Sequence, residues 1–325
     1  MATPLAPRGN LGQRLQGLPK PVIYLILILV CTIPQFFTIP IFTIPIPNQP
    51  DDSSVKFYST LMALPEGSRV LVASDWTGST RGESKGQFLA LLKLLMERKI
   101  KFALYSTADP QAPQAAIDTI RQLNAQRRID GKPEYQRWTD WVNVGYFADS
   151  EAATNGIAND LTTTFKSKKD TPPGGSSESV LQSPVFQRVQ SVRDFQALIV
   201  ITASKTSNIT IERVSGKIPL AFMVTGVMGP ESRVFFQSNQ VVGLAVGLKG
   251  AFDLEQLDKY GVNNPGTNEI KSTIVSGSVP PVVPDDPPGQ GTRFYPTLHF
   301  ALALMIFMVV LGNVGMFLAR RGGRP

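Results

Sequence analysis

Two long uncharged apolar stretches near the ends of the chain, with every acidic residue between them, restrict its fold more than any other feature. No residue from Pro21 to Pro50 is charged, and a second uncharged run from Phe294 to Ala319 ends at Arg320-Arg321. A spanning helix needs about 20 apolar residues, so residues 21–43 and 294–319 are read as two transmembrane helices. The apolar core of the first exceeds the ~7–15 residues of a cleaved signal, and no small-x-small site follows it, which favours an uncleaved anchor.

Orientation follows from the flanks. Residues 1–20 carry Arg8, Arg14 and Lys20 with no acid, and residues 320–325 carry Arg320, Arg321 and Arg324 with no acid. The net charge of +7 therefore divides as +3, +1 and +3. Short Lys/Arg-rich flanks stay on the cytoplasmic side, so both termini are expected inside the cell membrane and the segment between the spans outside the cytoplasm. The basic balance is thus a topology signal, and no nucleic-acid footprint is read into it.

Residues 44–55 (Pro45, Pro47, Pro50) and 276–293 (Val279 to Gly291) are read as Pro-rich, extended connectors. The domain between them, 56–275, is interrupted by a low-complexity segment at 167–179 that is expected to be a mobile loop. The chain holds one Cys, Cys31, and one His, His299, both inside the apolar runs. The domain must therefore stand on its core without disulfides, and it lacks the His needed for a zinc site or a Ser-His-Asp or Cys-His triad.

Within the domain, short apolar runs alternate with helical patterns. Strands are predicted at Val70–Ser74, Lys101–Ser106, Trp141–Phe147, Ala197–Thr202, Pro219–Thr225 and Val241–Ala245. Helices are predicted at Gln87–Arg98, Pro113–Ala125, from an Asp149 or Ser150 cap towards Phe165, and at Leu248–Tyr260. Six strands separated mainly by helices make an α/β domain with a doubly wound, mostly parallel sheet, inserted between the two membrane helices.

In such a sheet ligands bind at the carboxyl ends of the strands. The ligand-binding candidates are therefore Asp75, Thr77, Ser79 and Thr80 after the first strand, Ser106 after the second, and Ser204 and Thr225 after later ones. Gly78 and Gly82 complete a polar turn that can cradle an anion, although the spacing is neither a Walker loop nor a GxGxxG fingerprint. Gly/Ser/Thr turns after strands also serve structure alone, and Asp109, Asp149, Ser204 and Lys205 suit caps and turns. Gly243, Gly247 and Gly250 are expected to allow close strand-to-helix packing or a tight turn. In the second span, Asn313 between Gly312 and Gly315 marks a helix-packing face, while His299 near its outer end reads as an interfacial residue.

Asp75 with Thr77, and Ser106-Thr107 on the next strand, resemble phosphotransferases of the haloacid dehalogenase type, which pair an Asp nucleophile with a Ser/Thr. The later acidic pair that holds Mg²⁺ in those enzymes reads Thr202-Ala203-Ser204-Lys205 here. A broader resemblance runs through Leu64–Asp75, Arg98–Tyr105, Trp141–Tyr146 and Gln240–Glu255. It is to uncharacterised two-span prokaryotic membrane proteins with a Rossmann-like α/β domain between the spans. Relatives in that family tend to carry Asp-Tyr-Asp-Pro where this chain has Asp75-Trp76-Thr77-Gly78. The resemblance implies the architecture and brings no activity.

The expectation is a non-enzymatic structural or accessory subunit of a membrane complex, with no catalytic residue, metal or cofactor. Its expected partners are the lipid bilayer and membrane-protein subunits or a second copy. The alternative is an extracytoplasmic sensor whose unidentified small-molecule ligand enters a cleft at the strand ends.

Overall fold

The structure, a computed structural model, describes residues 19–36, 50–76, 78–260, 262–264, 269–270 and 290–322. It divides into two units, one holding the terminal segments up to Ile46 and from Arg293, the other holding Pro47–Thr292.

In the first unit, helix α1 covers Lys20–Phe36. Its 17 residues rise about 25 Å, short of the ~30 Å hydrocarbon layer; the rest of the expected span, 37–43, lies outside the described residues. The helix that ends the described chain, Gln290–Gly322, contains a stretch, Pro296–Arg320, that is long and apolar enough to cross a membrane. It exposes Met305, Ile306, Phe307 and Val309, a surface that suits lipid better than water. One helix, where two were expected, therefore meets the requirement among the described residues.

The second unit is built on strands β1 (Arg69–Asp75), β2 (Lys101–Ser106), β3 (Trp141–Tyr146), β6 (Ala197–Thr202), β7 (Leu220–Val224) and β8 (Gly243–Val246). They form one sheet in the order β3-β2-β1-β6-β7-β8, and every pair is parallel. Strand β1 is buried at six of its seven positions, β6 at all six and β7 at all five. That is the continuous apolar character that burial on both faces demands. The order reverses between β1 and β6, which makes this a doubly wound, Rossmann-like sheet with its switch point at the carboxyl ends of those two strands.

Helices α2 (Asp52–Met62), α3 (Arg81–Glu97), α4 (Ala112–Ile129) and α9 (Gly247–Tyr260) contribute to the core on one face. There Val70 and Val72 of β1 pack with Phe57, Leu61, Leu91, Leu95, Ile120 and Leu254. On the other face lie α5 (Ser150–Asn159), α6 (Leu161–Phe165), α7 (Asn208–Val214) and the segment around Val180–Phe195. Their side chains pack on Leu71, Leu198, Val200 and Phe222. Helix α8 (Gly229–Gln237) adds Phe235 and Phe236 to the same face.

Three expectations need correction. The connector expected to run to residue 55 gives way to α2 at Asp52, with Ser53, Ser54 and Val55 already buried. The single helix expected towards Phe165 is two. Asp149 caps α5, accepting from Ala152 N at 2.9 Å, and Asp160 stops it and caps α6. The segment 167–179 is spanned by a small hairpin, β4 (Lys169–Asp170) against β5 (Glu178–Ser179). Its anchor is the buried Asp170 carboxylate, whose Oδ1 takes Arg137 Nη2 at 2.5 Å and whose Oδ2 takes Asn143 N at 2.8 Å. A further strand pair, β9 (Val262–Asn264) and β10 (Glu269–Ile270), follows α9, and the helix Gln290–Gly322 is α10. The remainder of 276–289 lies outside the described residues.

The glycines near β8 act as expected. A Cβ at Gly243 would lie 2.5 Å from Phe57 Cα, so the absence of a side chain is what lets α2 lie directly on the strand. Gly247, with φ +58°, makes the tight turn from β8 into α9. The buried Asp253 carboxylate of α9 accepts from Asp51 N at 3.0 Å and pairs with Lys249, which ties the start of α2 to α9.

Candidate functional site

Parallel register brings the strand ends to one edge: Asp75 stands opposite Thr202, Thr202 opposite Val224, and Val224 opposite Val246. The candidates Asp75, Ser106, Ser204 and Thr225 therefore share that edge, and Ser79 and Thr80 belong to the 3-10 turn Gly78–Thr80 that leads into α3. Thr77 lies outside the described residues.

Asp75 and Ser106 meet. Asp75 Oδ1 accepts from Ser106 Oγ at 2.9 Å, Thr107 N at 2.7 Å and Ala108 N at 3.2 Å, and Oδ2 accepts from Thr107 Oγ1 at 3.2 Å. Ser150 Oγ donates in turn to Thr107 Oγ1 at 3.3 Å. Burial pushes the Asp75 carboxyl above its ordinary value, and the donors of residues 106–108 oppose that rise. The neighbouring Tyr105 hydroxyl is driven up by its own burial and by the Asp75 charge. Oδ1 thus takes three donors and Oδ2 one, which clamps the turn after β2 against the end of β1.

Ser204 and Thr225 hold local structure instead of meeting Asp75. The Ser204 hydroxyl accepts from Thr206 N at 3.3 Å and Thr206 Oγ1 at 3.0 Å, while its own N–H donates to Thr202 Oγ1 at 3.0 Å. Thr225 donates from its backbone N–H to Thr202 O at 3.3 Å and opens the 3-10 turn Gly226–Met228. Lys205 pairs with Glu231 at 3.1 Å.

Two residues that sequence reasoning missed close the same edge. Glu83 Oε2 accepts from Gly226 N at 2.7 Å, and Gln87 Nε2 donates to Val224 O at 2.7 Å and Gly247 O at 3.2 Å. Their partners are backbone groups more than a hundred residues away.

A groove of about 330 Å³ is lined by Asp149, Glu151, Ala152 and Asn155 at the start of α5 and by Arg213 of α7. In it Arg213 pairs with Glu151 at 2.8 Å, and the Asp149 carboxylate accepts from Ala152 N. Among the described residues no group of three or more His, Cys, Asp or Glu side chains is placed to hold a metal ion. In α10, Asn313 is exposed, Gly315 is buried, and a Cβ on Gly312 would meet nothing within 4 Å.

No protein-family model, curated protein or solved structure matches the chain.

Proposed function

We propose that the chain is a membrane-anchored, non-enzymatic structural or accessory subunit of a membrane complex, working through protein–protein contacts of its α/β domain and its membrane helices. The observation that carries this reading is the state of Asp75, whose carboxylate holds Ser106, Thr107 and Ala108 as a structural clamp at the strand ends. The apolar surface of Pro296–Arg320 supports the anchor. The proposal includes a second span at 21–43, with both termini cytoplasmic and the domain outside, supported by the Lys/Arg bias of the flanks.

Asn313, exposed on α10 beside Gly312, is the position chosen for the partner contact. A photo-crosslinking amino acid at Asn313 is expected to capture one defined membrane protein in native membranes. A ladder of unrelated products, the same as that from the lipid-facing position Val309, would count against the proposal. For topology, a Cys31→Ser background carrying Ser176→Cys should react with an impermeant maleimide on intact cells, and one carrying Arg324→Cys should not.

A further inference from the structure

Strand β8 is an edge of the sheet, and α8 on one face meets α2 on the other beside it. Where they meet, Arg233 of α8 pairs with Asp51 at 2.7 Å, and the Lys56 ammonium of α2 lies 5.2 Å from the centre of the Phe236 ring. The inner side of α8 is fixed to the domain. Met228, Gly229 and Ser232 are buried, Phe235 and Phe236 pack on the core, and a Cβ at Gly229 would lie 2.6 Å from Val246 Cγ1.

The outer side of the same element is apolar. Val227, Pro230 and Val234 are exposed, and their spacing of three and four residues lines them up in one stripe, which Gln237 continues. Val227 is 89% exposed and Val234 61%. Exposed valines scattered singly are ordinary. Among the described residues of the α/β domain, however, the one other large hydrophobic side chain left open is Ile129. It ends α4, which joins β2 to β3 at the opposite edge of the sheet.

The position of the stripe indicates what covers it. Asp51, the partner of Arg233, stands where the chain enters the domain, eight residues after residue 43, at which the first apolar run is expected to leave the bilayer. Eight residues reach at most about 29 Å. So short a tether makes contact between this corner of the domain and the bilayer an intramolecular event at high effective concentration. A small apolar stripe then suffices where an untethered protein would need a large one. The charges beside it balance: Arg233 offsets Asp51, Lys205 offsets Glu231 at 3.1 Å, and Lys56 follows the exposed Asp52 by four residues on α2.

We propose that the Val227–Pro230–Val234 stripe of α8 docks on the surface of the lipid bilayer, turning the β8 edge of the domain towards the membrane and leaving the β3 edge, with Ile129, in water. This docking presupposes the anchor at 21–43 proposed above and is independent of any partner subunit.

The test uses the full-length protein with Cys31→Ser, reconstituted in phosphatidylcholine–phosphatidylglycerol vesicles with and without brominated acyl chains. A bimane label is placed in turn at Val227→Cys, Val234→Cys and Ile129→Cys. Brominated lipid is expected to quench the labels at 227 and 234 at least about twofold more than the label at 129. A label at Gln237→Cys should be quenched as well, and should lose that quenching when Val227→Asp and Val234→Asp are added, exposed changes that leave the fold intact. Equal quenching at 227, 234 and 129 overturns the proposal. So does shielding of 227 and 234 from brominated lipid and aqueous iodide alike, which would put a protein on the stripe. An alkaline wash of the same vesicles reports on the anchor separately: protein that is released lacks the span and overturns anchor and docking together, whereas protein that stays with unquenched labels keeps the anchor and overturns the docking alone.

Discussion

Glu83, in the first turn of α3, accepts a 2.7 Å hydrogen bond from the backbone N–H of Gly226, 143 residues further along the chain at the end of β7. One turn later Gln87 donates to the carbonyls of Val224 and Gly247. Together they fasten the start of α3 to the ends of β7 and β8. Gly247 belongs to the same arrangement, since a Cβ there would lie 3.1 Å from the Glu83 carboxylate.

Replacing Gln87 by Leu removes the donor from buried carbonyls while roughly keeping the volume. The expected loss is about 1–3 kcal/mol in urea unfolding. Glu83→Gln keeps an acceptor for Gly226 N and should stay within about 0.5 kcal/mol of wild type. A Gln87→Leu protein as stable as wild type would show that α3 is held by its apolar stripe alone.

Asp75→Ala takes the acceptor away from the Thr107 N–H and hydroxyl, while Ala108 N keeps Ser106 Oγ at 3.3 Å and Ser106 Oγ keeps Asp109 O at 3.4 Å. A cost of about 1–3 kcal/mol follows. Asp75→Asn retains one carbonyl oxygen and should lose less. Circular dichroism during denaturation separates the two variants; equal stability of Asp75→Ala and wild type would remove the clamp from the account.

Gly243→Ala places a methyl group 2.5 Å from Phe57 Cα, a backbone atom that side-chain rotation cannot relieve. Helix α2 must shift off β8, at an expected cost of about 1–3 kcal/mol. Val242→Ala, at the residue just before β8, tests the effect of altering the adjacent position without the clash. If Gly243→Ala unfolds no earlier than Val242→Ala, α2 does not dock as described.

Much of this architecture was legible in the sequence because it is written locally. Ala197-Leu-Ile-Val-Ile-Thr202 is a short, β-branched apolar run of the kind that suits a strand buried on both faces, and β6 spans those same six residues. Helix α2 escaped notice because Pro50-Asp51-Asp52-Ser53-Ser54 reads as the end of a polar connector. Its Ser53 and Ser54 are buried only through tertiary packing. The hairpin at Lys169 escaped for a similar reason: the Asp170–Arg137 pair that anchors it crosses 33 residues. At the candidate site, the meeting of Asp75 with Ser106 followed from their positions at neighbouring strand ends. Glu83 and Gln87 bond to distant backbone groups, for which no side-chain motif exists.

Stability should fall between about pH 4 and pH 6. Burial and the adjacent Glu97 push the Asp258 carboxyl up to about 6, from an ordinary 3.8. Burial likewise raises Asp253 to about 6 against the pull of Lys249. Because the folded protein holds these protons more tightly than the unfolded chain, their stabilising effect is complete below about pH 4. It is lost as pH rises through about 6. Asp258→Asn should therefore raise stability at pH 7.5 by about 1 kcal/mol, after allowance for solvent screening, and change little at pH 4. Denaturant midpoints across that range decide the point; a variant that is less stable than wild type at pH 7.5 contradicts it.

The central claim is that this domain serves a membrane assembly. The most direct measurement is to extract the protein from native membranes in mild detergent and determine the mass and composition of the particle that contains it. The account predicts defined additional subunits in fixed ratio to this chain, retained when Asp75 is replaced by Asn. A particle of this chain alone, or one that turns over a small molecule and loses that turnover in Asp75→Asn, would contradict it.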